Sequence, residues 1–292
     1  MNKNNISKEN LDFLEKLESD KNFQHIGENN AFIKQIRNVI SNSKPNPEKL
    51  FVGEGIWNQQ VILQTKTRVV GFIVCLEYIY TNEAVQAIQE MQKVAENFYI
   101  VSAKTFDKIS EKDQPDGMLA LAQLPKYDIK DLKPKQNSLI LVLDGIEIPG
   151  NIGTMLRVCD GAGVDAVFIC NRKARLSHPK LIKGSMGSVL TVPIYEFTDV
   201  ETCHNWLTSH GFITYLADTR AKHNYFEEHY NNRTAFVMGS ERYGISREWY
   251  TENCKLISIP MLGKCDSLNV GVAATVLVYN ATMKIKLNAK YE

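Results

Sequence analysis

The 292-residue chain carries 34 basic and 33 acidic side chains, a net charge of +1, with 44% hydrophobic and 23% charged residues. That balance excludes wholesale disorder, and taken as an average it speaks against a strongly nucleic-acid-binding surface. The longest apolar runs, Val69 to Leu76 and Val270 to Tyr279, fall far short of the ~20 residues of a membrane span. The length suggests two domains.

Ser7 is placed to cap a first helix, along which Leu11, Leu14 and Leu17 keep a helical period. Phe32, Ile33, Ile36, Val39 and Ile40 repeat the pattern, and the segment Ser41-Asn-Ser-Lys-Pro-Asn-Pro47 stops it. Strand-like runs follow at Leu50–Val52, Val61–Leu63, Val69–Val74 and Tyr99–Val101, with a helix expected over 82–96. These elements make a small α/β unit over residues 1–124. The polar, proline-bearing stretch 125–137 reads as an interdomain linker. A second domain, 138–292, then shows apolar strand-type runs at 139–143, 166–170, 189–194, 212–216, 235–238 and 256–259. Helices are expected over 152–161, 200–209 and 269–287, the last capped by Ser267 or Asn269. Strands that are apolar along most of their length and alternate with helices predict a mostly parallel sheet covered on both faces.

The six cysteines (Cys75, Cys159, Cys170, Cys203, Cys254, Cys265) form no C-x-x-C pair and fit reduced thiols. The polar N-terminus has no apolar core of a signal peptide, so a cytoplasmic protein without a membrane anchor is expected. There is no phosphate-loop motif, no H-E-x-x-H and no complete G-x-G-x-x-G after a strand. The spacing of His204/His210 and of His223/His229 does not put two ligands on one helix face, so these read as surface histidines and no metal is expected.

Three segments of the second domain sit where strands end, the edge at which open α/β sheets bind ligands. In the first, a Pro149-Gly150 turn precedes Asn151, which could be a plain helix cap, and Arg157, which on a helix packed against a sheet should be partly buried against an anionic or carbonyl partner. In the second, a strand ends in Gly239, which permits close backbone approach to a ligand, and Glu241 and Arg242 follow. In the third, a loop with Gly263 leads to Ser267 and Asn269 at the start of the last helix, where amides and hydroxyls suit a polar group. Each alone has a bland reading as a cap or turn.

Together, Asn151-x-Gly153-x-x-x-Arg157, then Gly239-Ser240-Glu241, then Ile259-Pro260-Met261-x-Gly263 with Ser267-Leu268-Asn269-Val270 resemble the three motifs of the SpoU (TrmH-like) class of SPOUT RNA ribose 2′-O-methyltransferases. The stretch from Tyr99 to Ala120 more weakly resembles the end of the L30e-like substrate-binding module often found ahead of that domain. The resemblance implies a C-terminal trefoil knot, a homodimer, and transfer of a methyl group from S-adenosylmethionine to a ribose 2′-hydroxyl of RNA, with rRNA ahead of tRNA as substrate. A tRNA enzyme or a non-catalytic RNA-binding assembly factor are the alternatives. By motif match, Met238, Gly239, Ile259, Met261 and Leu268 surround the cofactor. Arg157 activates the hydroxyl, or binds phosphate and stabilises the alkoxide, while Asn151, Glu241, Ser267 and Asn269 hold the site's hydrogen bonds. Gly271 stands where many members carry serine, which loosens the helix start slightly.

The net charge hides a patch. The stretch 171–188 holds Arg172, Lys173, Arg175, Lys180 and Lys183 and no acidic residue, a candidate contact for RNA phosphates. Tyr243 or Trp249 could stack on an extruded base.

Overall fold

The computed structural model describes residues 6–20, 23–230 and 233–287. They form two compact units, one running to Pro125 and including Ser177–Ile182, the other made of Lys126–Leu176 and the chain from Lys183.

In the first unit the order is α1 (Lys8–Ser19), β1 (Gln24–His25), α2 (Ala31–Ile40), β2 (Leu50–Glu54), α3 (Ile56–Gln64), β3 (Val69–Val74), α4 (Asn82–Val94), β4 (Phe98–Ile100), α5 (Ala103–Phe106) and β5 (Met118–Gln123). The helix starts obey side-chain capping: Ser7 accepts from the Asn10 amide, Asn30 from Phe32 and Thr81 from Ala84. The five strands form a mixed sheet in the order β1-β4-β3-β5-β2, parallel at β1–β4–β3 and antiparallel on both sides of β5. Phe32, Ile33 and Ile36 of α2 pack into a core with Leu50, Ile73, Leu119 and Leu121 from three strands.

Two expectations change here. Val61–Leu63 is not a strand but lies inside α3, because a short apolar run carries no period that separates helix from strand. And β5, which was not expected as a strand, runs antiparallel to both β2 and β3.

The second unit contains β6 (Leu139–Asp144), α6 (Pro149–Ala162), β7 (Ala166–Cys170), α8 (Ser188–Thr191), β8 (Ile194–Glu196), α9 (Val200–Ser209), β9 (Ile213–Ala217), β10 (Thr234–Gly239), β11 (Cys254–Ile257) and α10 (Val270–Thr282); in chain order α7 (Pro179–Ser185) falls between β7 and α8, and its residues up to Ile182 belong to the first unit. Its six strands lie in the order β11-β9-β10-β6-β7-β8, and every pairing is parallel. Every residue of β6 and β7 is buried, as expected for strands covered on both faces. The expected strand 189–194 is corrected: Ser188–Thr191 form the short α8, and β8 begins only after Pro193. At the end of α6, Gly163 adopts the left-handed conformation (φ 66°) that closes a helix.

The sheet geometry places the site. From β6 the chain runs outward through β7 and β8 on one side, while β9, β10 and β11 lie on the other. The strand order therefore reverses between β6 and β10, and a parallel sheet opens a ligand crevice at the carboxyl ends of such a pair. Asp144 is in register with Gly239 on one side and Cys170 on the other, and Ala217 with Ile257 further along the same edge.

Candidate active site

A cavity of about 760 Å³ opens at that edge, within the roughly 300–1,000 Å³ usual for small-molecule sites. The three segments singled out in the sequence converge on it. Met238, Gly239, Ile259, Met261 and Leu268 all line it, as do Asn151, Glu241, Ser267 and Asn269. Over a hundred residues of chain separate the first segment from the last, so only the parallel sheet brings them together.

At one wall three side chains form a continuous hydrogen-bonded row. The Asn151 amide Nδ2 donates to Glu241 Oε1 at 2.5 Å, and Asn269 Nδ2 donates to Asn151 Oδ1 at 3.3 Å. Asn269 Oδ1 in turn accepts from the Gly271 amide at 2.9 Å, which makes Asn269 the cap of α10. The row fixes both amide orientations, since each oxygen and each NH₂ has a defined partner. Asn151 is not a helix cap: α6 begins at Pro149, the cap position is Ile148, and the Asn151 side chain crosses to the neighbouring segments instead. Ser267 lines the cavity but stands outside the row, with its hydroxyl toward Asp266 at 3.4 Å.

Two glycines have steric reasons that the sequence alone did not show. A Cβ on Gly239 would lie 2.3 Å from the backbone of Gly244 and Ile245, so what approaches this glycine closely is its own chain rather than a ligand. The loop after β10 folds back on itself, with Ser240 and Gly244 exchanging backbone hydrogen bonds of 3.0 and 2.9 Å. A Cβ on Gly271 would press on Thr154 of α6 and on Asn269 Oδ1 at 3.2–3.3 Å, so the residue that departs from the family pattern accommodates a tight α6–α10 approach.

Arg157 is corrected. It was expected to be partly buried with a partner, yet it is exposed, does not line the cavity, and has no partner among the described residues. It lies six residues beyond Asn151 on α6, about 9 Å along the axis and on another face. Trp249 is corrected as well. It is fully buried in the core and cannot stack on a base, whereas Tyr243 is 71% exposed at the cavity mouth.

Sequence reasoning missed two groups. One is Asp218, Arg220 and Tyr250, which line the cavity from the loop after β9 and from beyond β10. Arg220 grips Asp218 through Nε and Nη2 at 3.1 and 2.9 Å, and the Tyr250 hydroxyl donates to the same carboxylate at 2.7 Å. The Arg220 guanidinium holds the Asp218 carboxyl down at about 2, against burial, which pulls the other way. The other is Asp144, buried at the end of β6. The signal for both was present: an aspartate that closes an otherwise apolar strand is an expensive residue to bury and marks a partner waiting for it.

All five basic residues of the 171–188 stretch are exposed. Arg172 is ion-paired with Glu196 at 2.7 Å, and Arg175 also has a partner.

A parallel α/β sheet with a partly apolar cavity at its switch point, closed by a row of amide and carboxylate side chains, defines a small-molecule-binding α/β domain. Residues 138–279 match the SpoU rRNA Methylase family. The chain is 32% identical over 200 residues to the 23S rRNA (guanosine-2′-O-)-methyltransferase RlmB of Vibrio vulnificus, a match covering 66% of this chain and 81% of that one. It is 34% identical over 166 residues to a Staphylococcus epidermidis protein assigned to the TrmH family of tRNA/rRNA methyltransferases, covering 56% of this chain and 66%, just under two thirds, of that relative. Among solved structures, an RNA 2′-O ribose methyltransferase superposes with a TM-score of 0.75 at 27% identity, over 90% of this chain and 99% of that one. The chain belongs to the SpoU methylase family.

Proposed function

We propose that this protein transfers a methyl group from S-adenosylmethionine to a ribose 2′-hydroxyl of rRNA. The observation that carries the reading is the convergence of the three strand-end segments on one cavity, with Asn151, Glu241 and Asn269 joined along its wall. The names of the relatives, an rRNA guanosine-2′-O-methyltransferase and an RNA 2′-O ribose methyltransferase, support the reaction and the substrate.

The lining fits the cofactor. Met238, Ile259, Met261 and Leu268 offer apolar surface for an adenine, with Gly239 beside them in the lining. Glu241, Ser267 and Asn269 offer polar partners for hydroxyl and amino groups. When bound, S-adenosylmethionine supplies an electrophilic methyl group on a sulfonium. Asn151 and Asn269, locked by their mutual hydrogen bond, would hold the ribose and orient its 2′-hydroxyl, an orientation effect of several kcal/mol at the least. Arg157 is permanently cationic and so serves as an electrostatic partner rather than a base: it binds phosphate and stabilises the negative charge that develops on the 2′-oxygen, whose proton leaves to solvent water.

Because Arg157 faces away from its own cavity, it fits a homodimer in which the arginine of one copy faces the cavity of the other. The exposed stripe of Val272 and Tyr279, seven residues apart on α10, supports such an apolar interface. Arg172, Lys173, Arg175, Lys180 and Lys183 contact RNA phosphates, and the unit ending at Pro125 is the L30e-like module that selects the RNA. The back-folded loop after β10 and the segment leading to α10 form the trefoil knot. Six free thiols, five of them buried, fit a cytoplasmic protein, and no helix among the described residues is long and apolar enough to cross a membrane.

The test is incubation of the purified protein with methyl-labelled S-adenosylmethionine and with rRNA or tRNA separately. Label at a ribose of rRNA is expected. Label in tRNA alone would overturn the substrate assignment, and label in neither would overturn the activity.

A further inference from the structure

We infer that Asp144 is a positioning residue for methyl transfer: with Asn171 and Ser246 it forms a clamp that holds the 240–246 loop in place on the cofactor cavity. The inference rests on the reading above and goes beyond it, since none of the three motif segments includes Asp144 or Asn171, and neither residue lines the cavity.

Asp144 ends β6 and is 1% exposed. A carboxylate buried this deeply needs donors for its oxygens, and both oxygens have one. Oδ2 accepts the Ser246 backbone amide at 2.7 Å, and Oδ1 accepts Asn171 Nδ2 at 2.7 Å. The same Asn171 amide group reaches Ser246 Oγ at 3.1 Å, which closes a three-membered ring of hydrogen bonds. Asn171 follows β7 directly and sits in the left-handed region at φ 50°, where asparagine and aspartate are the side-chain-bearing residues most at home. The backbone there turns so that the amide points back at Asp144.

The clamp bears on the site because of what lies between its anchor and the sheet. β10 ends at Gly239, the next residues line the cavity as far as Ile245, and Ser246 is where the loop is tied down. Within that span, Glu241 takes the Asn151 hydrogen bond and Tyr243 stands exposed at the mouth. The loop is held at its start by the strand and at its end by a charge-assisted bond, the stronger class of hydrogen bond. Two residues that never meet the ligand therefore set where Glu241 and the cavity wall stand.

The pattern of donors and acceptors makes the test specific. Asn171→Asp puts a second carboxylate 2.7 Å from the first, and like charges at that distance push the loop anchor apart. Asp144→Asn combined with Asn171→Asp exchanges the two groups and rebuilds the ring. The amide now at position 144 accepts the Ser246 N–H and donates to the carboxylate now at 171, which accepts in turn from the Ser246 hydroxyl. Calorimetry with S-adenosylhomocysteine, with melting temperatures recorded in parallel, reads the outcome. The expected result is affinity weakened about tenfold in Asn171→Asp and restored to within about twofold in the exchanged pair. If Asn171→Asp does not fold, Asn171→Ala, which removes one donor from an exposed position, is expected to weaken affinity by about threefold. Affinity unchanged in whichever single variant folds, or left impaired in the exchanged pair, would overturn the clamp. Absence of binding by the wild-type protein would instead overturn the proposed function itself.

Discussion

Two faces of one helix, α6, are built on opposite principles. On the cavity side, Asn151 is tied at both ends of its amide, to Glu241 and to Asn269, and those in turn hold the β10 loop and the start of α10. On the outer side, Arg157 stands exposed with no partner among the described residues. The difference separates two tasks. Groups that shape a pocket are held before the ligand arrives, which lowers the cost of organising the site. A permanently charged arginine left open meets its partner only when an anionic substrate or a second copy of the chain supplies one.

The contrast breaks most visibly at Arg157. Its replacement by alanine is expected to lower kcat by about 10²- to 10⁴-fold, with affinity for S-adenosylhomocysteine unchanged by calorimetry. Loss of that affinity would place the residue with the cavity instead. Mixing this variant with Asn269→Ala sharpens the point: if Arg157 serves the partner's cavity, re-formed dimers regain about a quarter of the wild-type sites, and if it serves its own they regain none.

Next in size is Gly239→Ala. The added methyl meets backbone that cannot swing aside, so the expected cost is about 1–3 kcal/mol, read as a lower midpoint in urea unfolding, with cofactor affinity falling as the loop shifts. Asn151→Ala acts within the prepared wall and leaves Glu241 and Asn269 each without one partner. About a tenfold loss in kcat/KM is expected, with much of it in KM for the RNA, unlike the pure kcat effect at Arg157.

The smallest effect is at Asp218. Its carboxyl is held at about 2 by Arg220, below the unfolded value, so whatever stability the pair contributes is complete above the ordinary carboxylate range and is lost progressively as pH falls from that range through about 2. Cofactor affinity should therefore show no step from this group between pH 8 and pH 4. Arg220→Ala should let the Asp218 carboxyl rise toward the ordinary range, a change visible in its carbon chemical shift during an NMR titration.

The elements with a clean period were legible in the chain itself. The helices at 8–19, 31–40, 82–94 and 200–209 and the strands β3, β6, β7, β9 and β10 follow from apolar spacing and caps. Where a short, mostly apolar run stands without a period, as at 61–63 and 189–194, the same side chains serve a helix or a strand equally well, and packing decided. The three motif segments were legible too, because their residue types at fixed spacing are unusual in combination.

The sequence by itself thus determined the α/β class, the parallel sheet of the second unit and the three motif segments that line its cavity, though not Asp218, Arg220 and Tyr250 beside them. Only the tertiary structure decided how those residues work together. It turned Asn151 from a possible cap into the centre of a hydrogen-bonded row, set Arg157 apart from the cavity, buried Trp249, and showed that Gly239 yields to its own backbone. The reason is physical: spacing along a chain encodes which face a residue takes on its own helix or strand, whereas a partner a hundred residues away is chosen by how the sheet brings strand ends together.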